Sequence, residues 1–121
     1  MKTAIIGAGN MGSALAEGIA KKIGGENIIV CDTIKEKALA LSERTGCVAG
    51  NIKRVCEESE YIFFAFKPGS LCAIAKECSP YFENRADDFT VVSMLAGVRL
   101  SAISTSFSFG RNLPVIRIMP N

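Results

Sequence analysis

"KTAIIGAGNMGSALAEG", residues 2–18, is the stretch on which the fold turns. An apolar run ends on Gly7, and Gly9 and Gly12 follow at the spacing G-x-G-x-x-G. Three readings compete: a turn that grips phosphate, a secretory leader, and an ordinary bend between a strand and a helix. Lys2 supplies a basic start and Ala14-Leu15-Ala16 imitates a cleavage site. A leader helix, however, needs an unbroken apolar block of ~7–15 residues, and Gly7, Gly9, Asn10 and Gly12 interrupt it. Glycines are common wherever a chain turns, so the motif by itself is weak.

Its surroundings are more specific. Residues 3–6 read as a short buried strand ending at Gly7. Residues 10–22 read as a helix, with Met11, Leu15 and Ile19 four apart and Gly24-Gly25 as its stop. Residues 27–31 read as a second strand, and Asp32 follows about twenty residues after Gly12, the separation expected in a dinucleotide-binding strand–helix–strand unit. Gly7 then permits a sharp turn. Gly9 keeps any side chain away from a pyrophosphate, and Gly12 lets the helix pack closely on the strands. The unpaired amides near Asn10 and Met11, together with the helix dipole, attract the phosphates. Asp32 can accept both ribose hydroxyls of NAD and repel the 2′-phosphate of NADP, while Lys35 and Lys37 stand close enough to offset that charge. The competing reading is a solvated residue ahead of a helix. The choice between NAD(H) and NADP(H) stays open at this point.

The remaining chain keeps the same rhythm. Thr33 with Glu36 makes a capping box for a helix to about Thr45, with Gly46 as a left-handed stop. Residues 47–49 suit a short third strand. Asn51 caps a brief helix ending near Ser59. Residues 61–66 form a fourth strand with apolar side chains on both faces, as in a strand covered on both sides. Pro68 begins a helix to about Cys78, with Leu71, Ile74 and Ala75 inward, and Pro80 breaks it. After a polar loop at 83–88 come a fifth strand at 90–94, a short helix from a Ser101 cap to about Phe107, a turn at 110–113 and a sixth strand at 114–119. Six alternations of strand and helix predict an α/β fold: one doubly wound, mainly parallel six-stranded Rossmann domain over residues 1–121, in strand order 3-2-1-4-5-6.

Composition bounds the function. Of 121 residues, 49% are hydrophobic and 21% charged, which suits a packed core rather than disorder. The net charge is +2 with the basic residues scattered, which argues against nucleic-acid binding. No apolar stretch approaches the ~18 residues of a membrane span. There are five cysteines, none spaced C-x-x-C, and no histidine. A metal site is not expected. The thiols read as reduced core residues of a cytoplasmic protein.

Four segments together carry a family resemblance: "GAGNMGSALAEG" (7–18), "FFAFKP" (63–68), "VVSMLAGV" (91–98) and "VIRIMPN" (115–121). The chain resembles the N-terminal domain of the pyrroline-5-carboxylate reductase family. The resemblance implies an NAD(P)H-dependent imine reductase in proline biosynthesis, acting on the small molecule 1-pyrroline-5-carboxylate. It implies cofactor contacts along Ala65, Phe66, Lys67 and Pro68, with Phe66 replacing the family's small aliphatic residue. Ala96 and Gly97 would lie near the nicotinamide, as would Asn121 in the family's "MPNTP" motif. Asn51 matches a family asparagine one residue out of register, and a plain N-cap explains it equally well. No catalytic residue is assigned, and Lys67 is read as a cofactor-side or solvated lysine rather than an acid. The family's second, helical domain makes the homo-oligomer and most of the substrate pocket. It is absent from these 121 residues, so the chain alone should bind cofactor and reduce little. An exposed apolar surface is expected where that domain would dock. Two alternatives remain: a stand-alone dinucleotide-binding or regulatory module, and the N-terminal domain of a related dehydrogenase using 3-hydroxy acids, prephenate or the deazaflavin F420.

Overall fold

The computed structural model describes residues 2–107 and 113–118. Among the described residues, thirteen short elements follow one another. Strands β1 (Thr3–Ile6), β2 (Ile28–Cys31), β3 (Val48–Ala49), β4 (Tyr61–Phe64), β5 (Thr90–Ser93) and β6 (Val115–Arg117) form one sheet. Helices α1 (Asn10–Ile23), α2 (Lys35–Thr45), α3 (Ile52–Glu58), α4 (Leu71–Glu83) and α5 (Leu100–Thr105) lie between them, and two single 3₁₀ turns, Gly25–Asn27 and Pro68–Ser70, complete the count. The sheet order is β3-β2-β1-β4-β5-β6, and every pairing is parallel. The doubly wound order expected from the alternation is therefore the observed one.

Strand alternation divides the core in two. Ala4, Ile6, Ile29, Cys31, Ile62, Phe64 and Val91 face one way and pack with residues of α3, α4 and α5. Ile5, Ile28 and Val30 face the other way, against Ala16, Ala38 and Leu41 of α1 and α2. β1 and β2 are buried at every position, as central parallel strands must be.

Several element ends differ from the sequence reading, each for a local reason. α2 is not capped by Thr33. Its N-cap is Ile34, without a side-chain bond, because the Asp32 carboxylate takes the Ile34 amide at 2.8 Å and turns the chain itself. α5 starts at Leu100, one residue before Ser101, with Arg99 as N-cap and no side-chain cap; this phase buries Ile103. Pro80 does not end α4, which continues to Glu83. The added turn carries Phe82, fully buried and stacked on Phe89 at 4.5 Å between ring centres. That packing outweighs the hydrogen bond a proline cannot donate. β4 stops at Phe64 rather than 66, and it is covered unevenly: Ile62 and Phe64 are buried, while Tyr61 is 41% exposed. β5 stops at Ser93, and β6 spans only Val115–Arg117. Asn51 does cap α3, its side chain accepting the Arg54 amide at 2.9 Å. Gly46 does close α2 in the left-handed region.

Candidate functional site

The glycine turn sits at the carboxyl end of β1, at the point where the strand order reverses between β1 and β4. Ligands in open α/β sheets bind at such a point. Each glycine answers a different constraint. Gly7 has φ +112°, and a Cβ there would strike the Ala65 carbonyl. A Cβ on Gly12 would collide with the Gly7 carbonyl oxygen, so α1 can approach the turn only without one. Gly9 is different. Its backbone is extended at φ −80°, and a Cβ would meet nothing within 4 Å. Neither conformation nor packing requires glycine there. What its absent side chain leaves is open space in front of α1.

The amino end of α1 is bare. Gly9 forms the N-cap with no side-chain hydrogen bond, and no acidic residue lies in the first turn. The first amides of a helix have no intrahelical acceptor and carry the positive end of its dipole. The turn is held in place from β2: the Gly7 amide donates to the Cys31 carbonyl at 2.8 Å, and the Ala8 amide donates to the Asp32 carboxylate at 2.7 Å. Ser13 Oγ donates to the Ala8 carbonyl at 3.2 Å.

Beside the turn lies a cavity of about 560 Å³. Of the residues singled out in the sequence, it brings together Gly7, Asp32, Thr33, Lys35, Asn51 and Phe66. Phe66 leans on Phe64 at 5.2 Å between ring centres and is partly buried against the core on that face. Ala65 is anchored next to β1, its amide donating to the Ile6 carbonyl at 2.9 Å, and Lys67 and Pro68 are exposed beyond it. Ala96 and Gly97 follow β5 on the same sheet edge, and Gly97 turns at φ +70° and borders a separate shallow recess. Asn121 lies outside the described residues. The sequence reading missed Lys53, Ile74 and Tyr81, which also line the cavity. Ile74 was read only as core. Lys53 was legible in principle, since it follows the Asn51 cap by two residues and so sits in the first turn of α3.

Cys31 lines this cavity as a buried thiol. Burial, then the neighbouring Cys78, Asp32 and Glu77, push its thiol up to about 12. A hydrogen bond with Cys78, with burial, raises the Cys56 thiol as well. Cys72 is exposed, and the other four thiols are buried. Among the described residues, no cluster of three or more His, Cys, Asp or Glu could hold a metal ion, and no helix is long and apolar enough to cross a membrane.

Residues 2–97 match the family described as NADP oxidoreductase coenzyme F420-dependent. The chain belongs to this family. Within it, the chain is similar to the pyrroline-5-carboxylate reductase of Corynebacterium melassecola, 33% identical over 120 residues, covering 98% of this chain and 44% of that protein. Among solved structures it is similar to a pyrroline-5-carboxylate reductase from Coxiella burnetii, with TM-score 0.86 and 22% identity over 99% of this chain and 44% of that one. It is also similar to the Plasmodium falciparum pyrroline carboxylate reductase with NADP bound, with TM-score 0.79 and 23% identity over 100% and 42% of the two chains. This family member thus spans less than half the length of the relatives it matches. The resemblance drawn from the four sequence segments holds along the whole chain.

Proposed function

We propose that the chain is the cofactor-binding half of an NAD(P)H-dependent imine reductase that reduces 1-pyrroline-5-carboxylate to L-proline. The observation that carries this reading is Gly9: a glycine demanded by neither backbone nor packing, opening onto the uncapped amides of α1. Such an arrangement suits a diphosphate, which needs close approach to backbone donors. The family description and the NADP bound by the Plasmodium falciparum relative support the dinucleotide class. The likeness to pyrroline-5-carboxylate reductases over nearly the whole chain supports the substrate.

In this reading the amides at Asn10 and Met11 bind the diphosphate, and Gly12 lets α1 stand close enough to do so. Thr33, Lys35 and Asn51 surround the adenosine ribose, with Asp32 behind them. The strand end Ala65-Phe66-Lys67-Pro68 walls the cofactor on one side. Ala96, Gly97 and Asn121 border the nicotinamide end. A bound reduced nicotinamide supplies the hydride. The chain's own residues orient and hold, and none acts as an acid or base. The second half of the relatives' length would supply the substrate pocket and the subunit contacts. Without it the reacting groups are not brought together, a contribution that reaches ~7–11 kcal/mol. The chain alone is expected to bind but not to turn over.

Calorimetric titration of reduced dinucleotide tests the reading. The parent chain should bind, and Gly9→Val should weaken binding by at least about a hundredfold, the loss expected when two charge-assisted bonds are blocked. Its melting temperature should stay within a few degrees, because the new side chain enters open space. Equal affinity in parent and variant would place the site elsewhere. Reduction of 1-pyrroline-5-carboxylate, assayed on the product of the full gene, tests the substrate.

A further inference from the structure

Ser93 ends β5 in surroundings that suit a hydrocarbon better than a hydroxyl. Alternation puts its side chain on the face that carries Val91, and its register partner on β4 is Phe64. It is fully buried there, on the side of the sheet where Phe64, Val91 and Leu95 join one core cluster. A hydroxyl taken out of water costs free energy unless it is hydrogen-bonded. The bond Ser93 makes is local: its Oγ accepts the Leu95 amide at 3.2 Å. A side-chain oxygen that takes the amide two residues on bends the chain between them. Leu95 is itself buried, so without Ser93 its amide would be a buried donor left unpaired.

The carboxyl ends of the neighbouring strands are tied to one another in steps. The Ala65 amide donates to the Ile6 carbonyl, the Met94 amide to the Phe64 carbonyl at 3.0 Å, and the Ile118 amide to the Ser93 carbonyl at 2.9 Å. Ser93 therefore holds two segments at once. Its Oγ bends the chain leaving β5, and its carbonyl holds the chain leaving β6. Met94 and Leu95 are buried, whereas Ala96 and Gly97 are exposed. The Ser93–Leu95 bond thus stands where the chain passes from core to surface. Gly97 then turns at φ +70°, and a Cβ on it would meet nothing within 4 Å.

We propose that Ser93 is a positioning residue for the nicotinamide end of the site: by holding the Leu95 amide, its hydroxyl sets Ala96 and Gly97 against the ring without touching the cofactor itself. The proposal rests on the dinucleotide reading above, in which those two residues border the nicotinamide. A residue needed there only for its small size would be replaceable by alanine. A residue needed for its oxygen is not, and the loss falls on the part of the ligand that the turn faces.

Calorimetric titration of the 121-residue chain with NADPH and with ADP-ribose 2′-phosphate, the same ligand without its nicotinamide, separates the two roles. The parent should bind NADPH at least about tenfold tighter than the nicotinamide-free ligand. Ser93→Ala should cut NADPH affinity about five- to tenfold, the worth of one hydrogen bond, and leave ADP-ribose 2′-phosphate within about twofold of the parent. Ser93→Thr keeps the oxygen and should keep the parent's ratio. Ser93→Cys keeps the size with a much weaker acceptor and should follow Ser93→Ala. An equal loss for both ligands would make Ser93 a packing residue and overturn the proposal. So would Ser93→Ala with the parent's ratio, or Ser93→Thr with the ratio of Ser93→Ala. If Ser93→Ala does not fold, the cysteine and threonine variants still decide. A parent that binds the two ligands equally overturns this inference alone. A parent that binds neither overturns the dinucleotide reading with it.

Discussion

Gly7, Gly9 and Gly12 look alike in the sequence and differ in the structure. Gly7 is needed for its left-handed backbone and its contact with Ala65, and Gly12 for its approach to the Gly7 carbonyl. Gly9 alone is free of both demands. The three should therefore separate stability from binding. Gly12→Ala forces a Cβ into backbone that cannot rotate away, and it is expected to cost about 3 kcal/mol or more in urea denaturation, the upper end of overpacking. Gly9→Ala should cost less than about 0.5 kcal/mol, as a surface substitution does. A Gly12→Ala chain as stable as the parent would mean that α1 sits further from the turn than described. Spacing already gave the turn to Gly7, the open approach to Gly9 and the close packing to Gly12; what it could not show is the contact of Gly7 with Ala65, which lies just after β4, more than fifty residues away. Asp32 shows the same limit. Its position was legible, but its partner Ala8 comes within reach only when β1 and β2 pair.

At the scale of elements, the existence and order of strands and helices were legible because apolar runs and glycine stops set them. Ends were not. Local rules placed a break at Pro80 and caps at Thr33 and Ser101; the local Asp32–Ile34 bond displaced the Thr33 cap, and burial of Phe82 and Ile103 goes with the other two departures. α4 runs through Pro80 because Phe82 fills a hole between Phe89 and Phe107, with ring centres 4.5 Å and 5.7 Å away. Proline cannot donate to the carbonyl four residues back, so that bond is absent and the helix bears the loss. Pro80→Ala restores the donor on an exposed face and should stabilise the chain by about 1–3 kcal/mol, within the cost of a proline inside a helix. A shift of the urea midpoint upward, with unchanged slope, checks it. An unchanged or lower midpoint would mean that Pro80 gains as much by stiffening the unfolded chain.

For the whole molecule, right-handed crossovers leave few ways to wind six parallel strands, and the observed order β3-β2-β1-β4-β5-β6 is the one the alternation implies. The expectation that β4 is covered on both sides holds in part: Phe63 packs against the core under α1 and α2, but part of that face stays uncovered. Tyr61 and Ile116, 41% and 52% exposed, lie on that uncovered part. In the proposed reading the cofactor half of the site lies at the strand reversal, at the start of α1. Heteronuclear NMR on the 121-residue chain during NADPH titration tests this most directly. The account predicts that the amides of Gly9, Asn10, Met11 and Gly12 shift most and saturate together. Saturable binding that leaves those four amides unmoved would contradict it.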